Sequence, residues 1–121
     1  MPKDIAVLIG ANGKTTSLFD AGKIVVYRKS KCSWHAVKEK EFRLDEKMSK
    51  PELLERMSEI LDYLNACKVF VCLRVVGLPY FALEKARCSV WEFEGSPGDF
   101  LDLIQEREEE GKVKEANRRE A

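Results

Sequence analysis

The chain has 121 residues, and its 21 basic and 21 acidic side chains give a formal net charge of zero. This length fits one domain, and the balanced charge argues against a general nucleic-acid-binding protein, which normally carries a basic excess. The apolar run near the start, Ile5–Ile9, is too short for a membrane span or a signal peptide. We therefore expect a soluble cytoplasmic protein.

Short apolar runs rich in branched residues predict three strands in the first third of the chain. Ile5–Ile9 ends at a turn signal of glycines and asparagine, and Lys23–Tyr27 forms the second run. A polar segment, residues 28–31, separates it from a third, alternating run over Ser33–Phe42. We predict that the second and third strands form a hairpin whose outer strand is solvated on one face.

The middle of the chain predicts a helix followed by a buried strand. Pro51 suits the first helical turn and Ser49 suits its cap, and apolar residues then recur at three-and-four spacing as far as Leu64. The next run, Lys68–Leu73, is apolar on both faces, which is typical of a strand that is covered from two sides. We predict that this strand is central in the sheet.

The last third of the chain predicts helix, strand and helix. Pro79 begins a short helix, Ser89–Phe93 is a fifth strand, and a final helix begins near Pro97. The order βββαβαβα predicts a single α/β domain over residues 1–104, with a mixed five-stranded sheet flanked by helices. Residues 105–121 are highly charged and have few apolar side chains, so we expect a charged helical extension or a disordered tail that folding does not need.

Two patterns that suggest nucleotide or metal chemistry lack residues that the chemistry needs. Gly13-Lys14-Thr15 follows a strand, but Leu8 stands where a phosphate-binding loop has its first glycine. The element order is similar to that of the ribonuclease H-like fold, whose nucleases hold two metal ions with carboxylates on the sheet. Because Ile5–Ile9 carries no acid, we predict a ribonuclease H-like sheet without nuclease activity.

Thiols, one imidazole and one arginine are the candidate functional groups. The cysteines at 32, 67, 72 and 88 are expected to be reduced, and most of them to be small buried hydrophobes. His35 is either an exposed strand residue or a ligand that acts with Cys32 among nearby bases. Arg74 falls late in an otherwise apolar strand, where it must pair with an acid or meet an anionic ligand.

Four stretches of the chain resemble a known family. They are residues 5–8 (IAVL) with 12–16 (NGKTT), residues 19–27 (FDAGKIVVY), residues 66–80 (ACKVFVCLRVVGLPY) and residues 90–97 (VWEFEGSP). On these stretches, which span residues 5–104, the chain resembles the Fe-only nitrogenase accessory protein (AnfO) family. The resemblance implies an accessory or maturation role in an alternative nitrogenase, without catalysis.

The family is similar to small nitrogenase cofactor-carrier domains, which have a ribonuclease H-like fold and bind iron–sulfur cofactors or their precursors. The resemblance therefore implies that the chain binds, or helps to insert, the iron–sulfur cofactor as cargo. The implied partners are Fe-only nitrogenase subunits or cofactor-assembly proteins. The alternative is a non-catalytic interaction module that docks on nitrogenase subunits without binding a cluster.

An anionic, sulfur-rich cofactor needs soft or imidazole ligands together with positive charge. The carboxyl end of a buried strand beside a helix N-terminus is the usual ligand position in open α/β sheets. The cofactor-binding candidates are therefore Cys72, Arg74, Gly77, Pro79, Tyr80, Cys67, Cys32 and His35. Which of them would ligate a metal stays open.

Overall fold

The computed structural model describes the backbone of residues 4–120 and the side chains of residues 4–110. In this part of the chain, five strands form one sheet: β1 (Ile5–Gly10), β2 (Gly22–Ser30), β3 (Ser33–Phe42), β4 (Val69–Cys72) and β5 (Ser89–Glu92). Their spatial order is β3-β2-β1-β4-β5. The first three strands are antiparallel and the last two run parallel to β1. The mixed sheet is confirmed, but its middle strand is β1, and β4 lies between β1 and β5.

Three helices complete the described fold: α1 (Lys50–Leu64), α2 (Gly77–Lys85) and α3 (Pro97–Glu120). The predicted order βββαβαβα is confirmed. At the start of α1, the Ser49 hydroxyl accepts a hydrogen bond from the backbone N–H of Glu52, and the Glu52 side chain accepts one from the backbone of Ser49. This reciprocal cap satisfies backbone donors that the first helical turn leaves free, and it fixes the start of α1 as the sequence predicts.

The two faces of the sheet have separate cores. Phe70 and Cys72 of β4 pack in a core with Met57 of α1 and Leu83 of α2. The alternate residues of β4, Val69 and Val71, pack in a second core with side chains from α3: Phe100, Leu101 and Ile104. Helices therefore cover β4 on both faces, which explains why its sequence is apolar at every position.

The strand registers define two ends of the sheet. Ile5 at the start of β1 pairs with Tyr27, and Gly10 at its end pairs with Gly22. The turn between β2 and β3 therefore lies beyond the amino ends of β1 and β4. The loops that follow β1, β4 and β5 meet at the opposite end, which we call the carboxyl end of the sheet.

Hydrogen bonds of Thr15 and its neighbour link the loops at the carboxyl end. The side chain of Thr15 is buried, and its hydroxyl donates to the carbonyl of Phe93 at 2.6 Å and accepts from the N–H of Gly95 at 3.3 Å. The backbone of the next residue, Thr16, accepts from Leu73 N–H at 3.0 Å. One segment after β1 is thus bonded to the loops after both β4 and β5, so the carboxyl end has a defined shape.

Part of the charged C-terminal segment contacts the sheet. Glu108 of α3 accepts hydrogen bonds from the indole N–H of Trp91 at 2.7 Å and from the Ser89 hydroxyl at 3.2 Å. The expectation that folding does not need this segment stays a prediction, although Glu108 contacts the sheet. The side chains of residues 111–121, on which the rest of that expectation depends, lie outside the described residues.

Two truncations test this contact. A chain that ends after Gln105 is expected to have a free energy of unfolding lower by about 1–2 kcal/mol, because the half-buried indole N–H of Trp91 loses its acceptor. A chain that ends after Glu110 keeps Glu108 and is expected to differ by less than about 0.5 kcal/mol. Urea unfolding followed by circular dichroism measures both values. Equal stability of the two truncated chains would show that the Glu108 contact contributes nothing.

Candidate functional site

The residues predicted to form one site lie at two ends of the sheet. The group at the amino end is Cys32, His35 and Cys67, and the group at the carboxyl end is Cys72, Arg74, Gly77, Pro79 and Tyr80. Cys32 lies in the turn between β2 and β3, and His35 on β3 pairs with Arg28 on β2. The two groups lie at opposite ends of β1 and β4. These eight residues therefore cannot bind one ligand together.

Three of the four thiols are buried: Cys67, Cys72 and Cys88. Burial, together with the nearby Glu92 carboxylate, raises the pKa of Cys72 to about 12. Burial also raises the pKa of Cys67, whose Sγ contacts the carbonyl of Asp4 at 3.3 Å. A thiol ligates metal as the thiolate, so these side chains are core residues in this structure.

Accessible soft ligands are found on the hairpin. Cys32 and His35 are both exposed. Within residues 4–110, no three histidine, cysteine, aspartate or glutamate side chains come together in a way that could hold a metal ion. A cluster bound to this hairpin would therefore need further ligands from a partner protein or from another source outside the described residues.

The position of Arg74 differs from the prediction. β4 ends at Cys72, and Arg74 lies in the following loop with its side chain exposed. Cys72 packs in the core while Arg74 is exposed in the loop, so the two side chains do not share one face of a strand. An exposed guanidinium is solvated, and the burial cost that required an acid or an anionic ligand does not arise.

Gly77 and its neighbours begin α2. Gly77 has a φ of +69°, and a Cβ built on it would have no neighbour within 4 Å. Glycine is thus needed here for the left-handed backbone conformation. Pro79 is buried in the first helical turn, and a hydrogen bond with Glu84 raises the pKa of Tyr80.

An exposed apolar surface lies beside these residues. Leu73, Val76 and Phe81 have relative exposures of 40%, 67% and 63%, and we call these three residues the β4–α2 surface. It borders a cleft of about 470 Å³ between the start of α2 and the edge strand β5, where Val90 and Glu92 form the opposite wall. Glu92 accepts a hydrogen bond from the N–H of Val75 at 2.9 Å, which holds the loop against β5.

Sequence reasoning missed the β4–α2 surface because it assigns apolar residues to the core. One signal was available in α2. Its apolar residues do not lie on one side of the helix; they are Leu78, Phe81, Ala82 and Leu83. A nine-residue helix that packs on one face of a sheet buries the side chains of one side only. Some of them must therefore face solvent.

Comparison with known proteins identifies a family for this chain. The family model described as iron only nitrogenase protein AnfO matches residues 4–121. No curated protein and no solved structure matches the chain. Among the described residues, no helix combines the length and the apolar character that a membrane crossing requires.

Proposed function

Since the chain belongs to the family described as iron only nitrogenase protein AnfO, we propose that it is a non-catalytic accessory protein of the Fe-only nitrogenase. It acts in the cytoplasm by docking on a nitrogenase component through the β4–α2 surface. The observation that carries this proposal is the exposure of Val76 and Phe81, which line a preformed cleft, together with that of Leu73 in the loop that precedes them. Clustered exposed apolar side chains of this size are typical of interaction sites.

The local structure supports docking by a rigid surface. Hydrogen bonds from Leu73 N–H to Thr16 and from Val75 N–H to Glu92 hold the loop before α2. The ring of Phe81 meets that of Tyr80 edge to face, with centroids 6.0 Å apart. A preformed apolar anchor loses little conformational entropy on association. The exposed Arg74 next to it can give an acidic group of the partner a bidentate contact.

Binding of purified variants to the anaerobically isolated Fe-only nitrogenase component tests the proposal. Phe81→Ser is expected to weaken binding at least about tenfold, because a central aromatic anchor is removed. Arg74→Gln is expected to have a smaller effect in the same direction. The control is Val37→Ser on β3, where an exposed apolar residue lies on the edge strand of the sheet opposite to β5.

The circular dichroism spectra of all three variants should match that of the unmodified chain, since each residue is exposed. Equal binding by Phe81→Ser and the unmodified chain would contradict docking at the β4–α2 surface. Equal loss in Phe81→Ser and Val37→Ser would show that binding depends on general apolar exposure instead.

A second function, carriage of the iron–sulfur cofactor as cargo, is favoured by the hairpin. Cys32 and His35 are accessible there, whereas Cys67 and Cys72 are buried. Anaerobically purified protein would then contain iron and acid-labile sulfide, and Cys32→Ser would lose both while Cys72→Ala would keep them. Absence of iron and sulfide, also after incubation with extracted cofactor, would reject this function and leave docking untouched.

We also propose that the fold is ribonuclease H-like. The support is the order of elements, in which an antiparallel three-stranded part precedes two parallel strands that follow helices. β1 carries no carboxylate that could bind a metal ion, so the proposal concerns the fold and not a nuclease. Cofactor-assembly proteins are further candidate partners for the same docking surface.

A further inference from the structure

The two edge strands of the sheet differ in how they are protected against pairing with another chain. β3 and β5 are the outer strands, and each leaves one row of backbone N–H and C=O groups without a strand partner. β3 carries four consecutive exposed charges, residues 38–41 (KEKE), which are a common protection of an edge. β5 is shorter and has no lysine or proline, and its one charged side chain, Glu92, is bonded to Val75 N–H.

The outward backbone groups of β5 belong to Val90 and Glu92. β5 runs parallel to β4, and the N–H groups of Ser89, at its start, and Phe93, just after its end, donate to carbonyls on the β4 side at 2.7 and 3.0 Å. Successive residues of a parallel strand direct their N–H and C=O groups alternately to the two sides. Val90 and Glu92 therefore direct theirs away from β4, and no described strand lies beyond them.

The cleft beside the β4–α2 surface opens next to these free groups. Val90 and Glu92 form one wall of the cleft, and Tyr80 and Phe81 form part of the other. A strand added at the outer edge of β5 would place every second side chain over this cleft. The side chain opposite Val90 would lie beside the exposed ring of Phe81, so an apolar residue suits that position.

The polar rim of this cleft is acidic. A hydrogen bond with Glu84 raises the pKa of Tyr80, and the charge of Glu92 adds to the increase, so both carboxylates lie near the Tyr80 side chain. Neither carboxylate takes part in an ion pair of the described residues, and no lysine or arginine lines the cleft. A basic residue opposite Glu92 on an added strand would compensate this charge.

We propose that the docking partner adds an extended segment as a further strand along β5, with an apolar residue opposite Val90 and a lysine or arginine opposite Glu92. This inference rests on the proposed docking function and specifies how the partner is held. Backbone hydrogen bonds supply affinity, and the two side chains, two positions apart in the segment, supply selectivity. A second copy of the chain fits less well, because β5 itself carries no basic residue.

Amide hydrogen exchange of β5, resolved to single residues, tests the added strand. In the isolated chain, the amides of Val90 and Glu92 are expected to exchange faster than that of Phe93, which is bonded to the β4 side. In the complex with the anaerobically isolated Fe-only nitrogenase component, exchange at Val90 and Glu92 should slow at least about tenfold, because both N–H groups gain acceptors. The Phe93 amide, which already has an acceptor, is the internal control.

A charge-removing variant tests the basic residue of the segment. Glu92→Gln keeps a carbonyl oxygen that can accept from Val75 N–H, but it has no charge, so binding of the nitrogenase component should weaken about threefold. Glu41→Gln makes the same change at an exposed position on β3, the opposite edge strand, and should leave the dissociation constant unchanged. Equal affinities of these two variants would overturn the assignment of a basic residue opposite Glu92.

The outcomes separate strand addition from docking itself. A complex that Phe81→Ser weakens, but in which Val90 and Glu92 exchange as fast as in the isolated chain, would overturn strand addition and leave docking at the β4–α2 surface intact. Failure of the nitrogenase component to bind the unmodified chain would reject both. Slow exchange of the two amides in the isolated chain, increasing with its concentration, would show that a second copy occupies the edge and would also overturn the proposal.

Discussion

Replacing Gly22 with alanine is expected to lower the free energy of unfolding by about 3 kcal/mol, because the added methyl group would collide with backbone. A Cβ built on Gly22 lies 2.7 Å from the carbonyl oxygen of Ile9 and 2.9 Å from Cγ2 of Thr16. Gly22 pairs with Gly10 of β1 on one side and with Phe42 of β3 on the other. β2 therefore cannot shift away from one neighbouring strand to relieve the collision without disturbing its hydrogen bonds to the other.

Gly98→Ala is the matched control for this substitution. Gly98 lies in the first turn of α3, and a Cβ there would meet nothing within 4 Å. Alanine has the higher helix propensity, so this variant is expected to be more stable by about 0.5 kcal/mol. Urea unfolding of both variants gives the two values. If Gly22→Ala lowers the free energy of unfolding by less than about 1 kcal/mol, the end of the β1–β2 pair adjusts to the added methyl group at little cost.

The elements of this fold could be predicted because each has a local signal. The apolar character of Val69–Cys72 at every position indicates a strand covered on both faces, and two separate cores do cover it. Ser49 and Glu52 form the reciprocal cap that their spacing favours. The strand order has no such signal, because a doubly covered strand can lie in the middle of the sheet or beside the middle strand, as β4 does.

The candidate sites depend on contacts that local patterns do not contain. Arg74 directly follows an apolar run and so has the sequence context of a late strand residue, yet the pairing of β4 with its neighbours ends at Cys72. Arg56 donates a hydrogen bond to the carbonyl of Arg43 only because α1 packs against the end of β3. Glu108 has no apolar periodicity around it, and its bond to Trp91 follows from the path of α3 across the sheet.

The stability of the folded chain is expected to fall steeply between pH 9 and pH 12, in part because of Cys72. Burial raises the pKa of this thiol from 9.0 in the unfolded chain to about 12 in the folded one. Below pH 9 both states keep the proton. Above pH 9 the unfolded chain loses it first, so the free energy of unfolding decreases by about 1.4 kcal/mol per pH unit until the folded thiol also ionises.

Cys72→Ala isolates this contribution, since other groups that titrate in this range do so in both proteins. At pH 8 the variant is expected to be less stable than the unmodified chain by about 1 kcal/mol, because a small buried volume is lost. At pH 10.5 the difference should have shifted by about 2 kcal/mol in favour of the variant, which has no thiol to ionise. Urea unfolding under reducing conditions at the two pH values gives the shift.

Val71→Ala is the control on the same strand. Val71 is buried on the opposite face of β4 and carries no titratable group, so its cost relative to the unmodified chain should be the same at both pH values. A pH-independent difference for Cys72→Ala as well would mean that the folded thiol ionises as readily as the unfolded one. Cys72 would then be accessible as a thiolate, and its assignment to the core instead of to a cluster would be wrong.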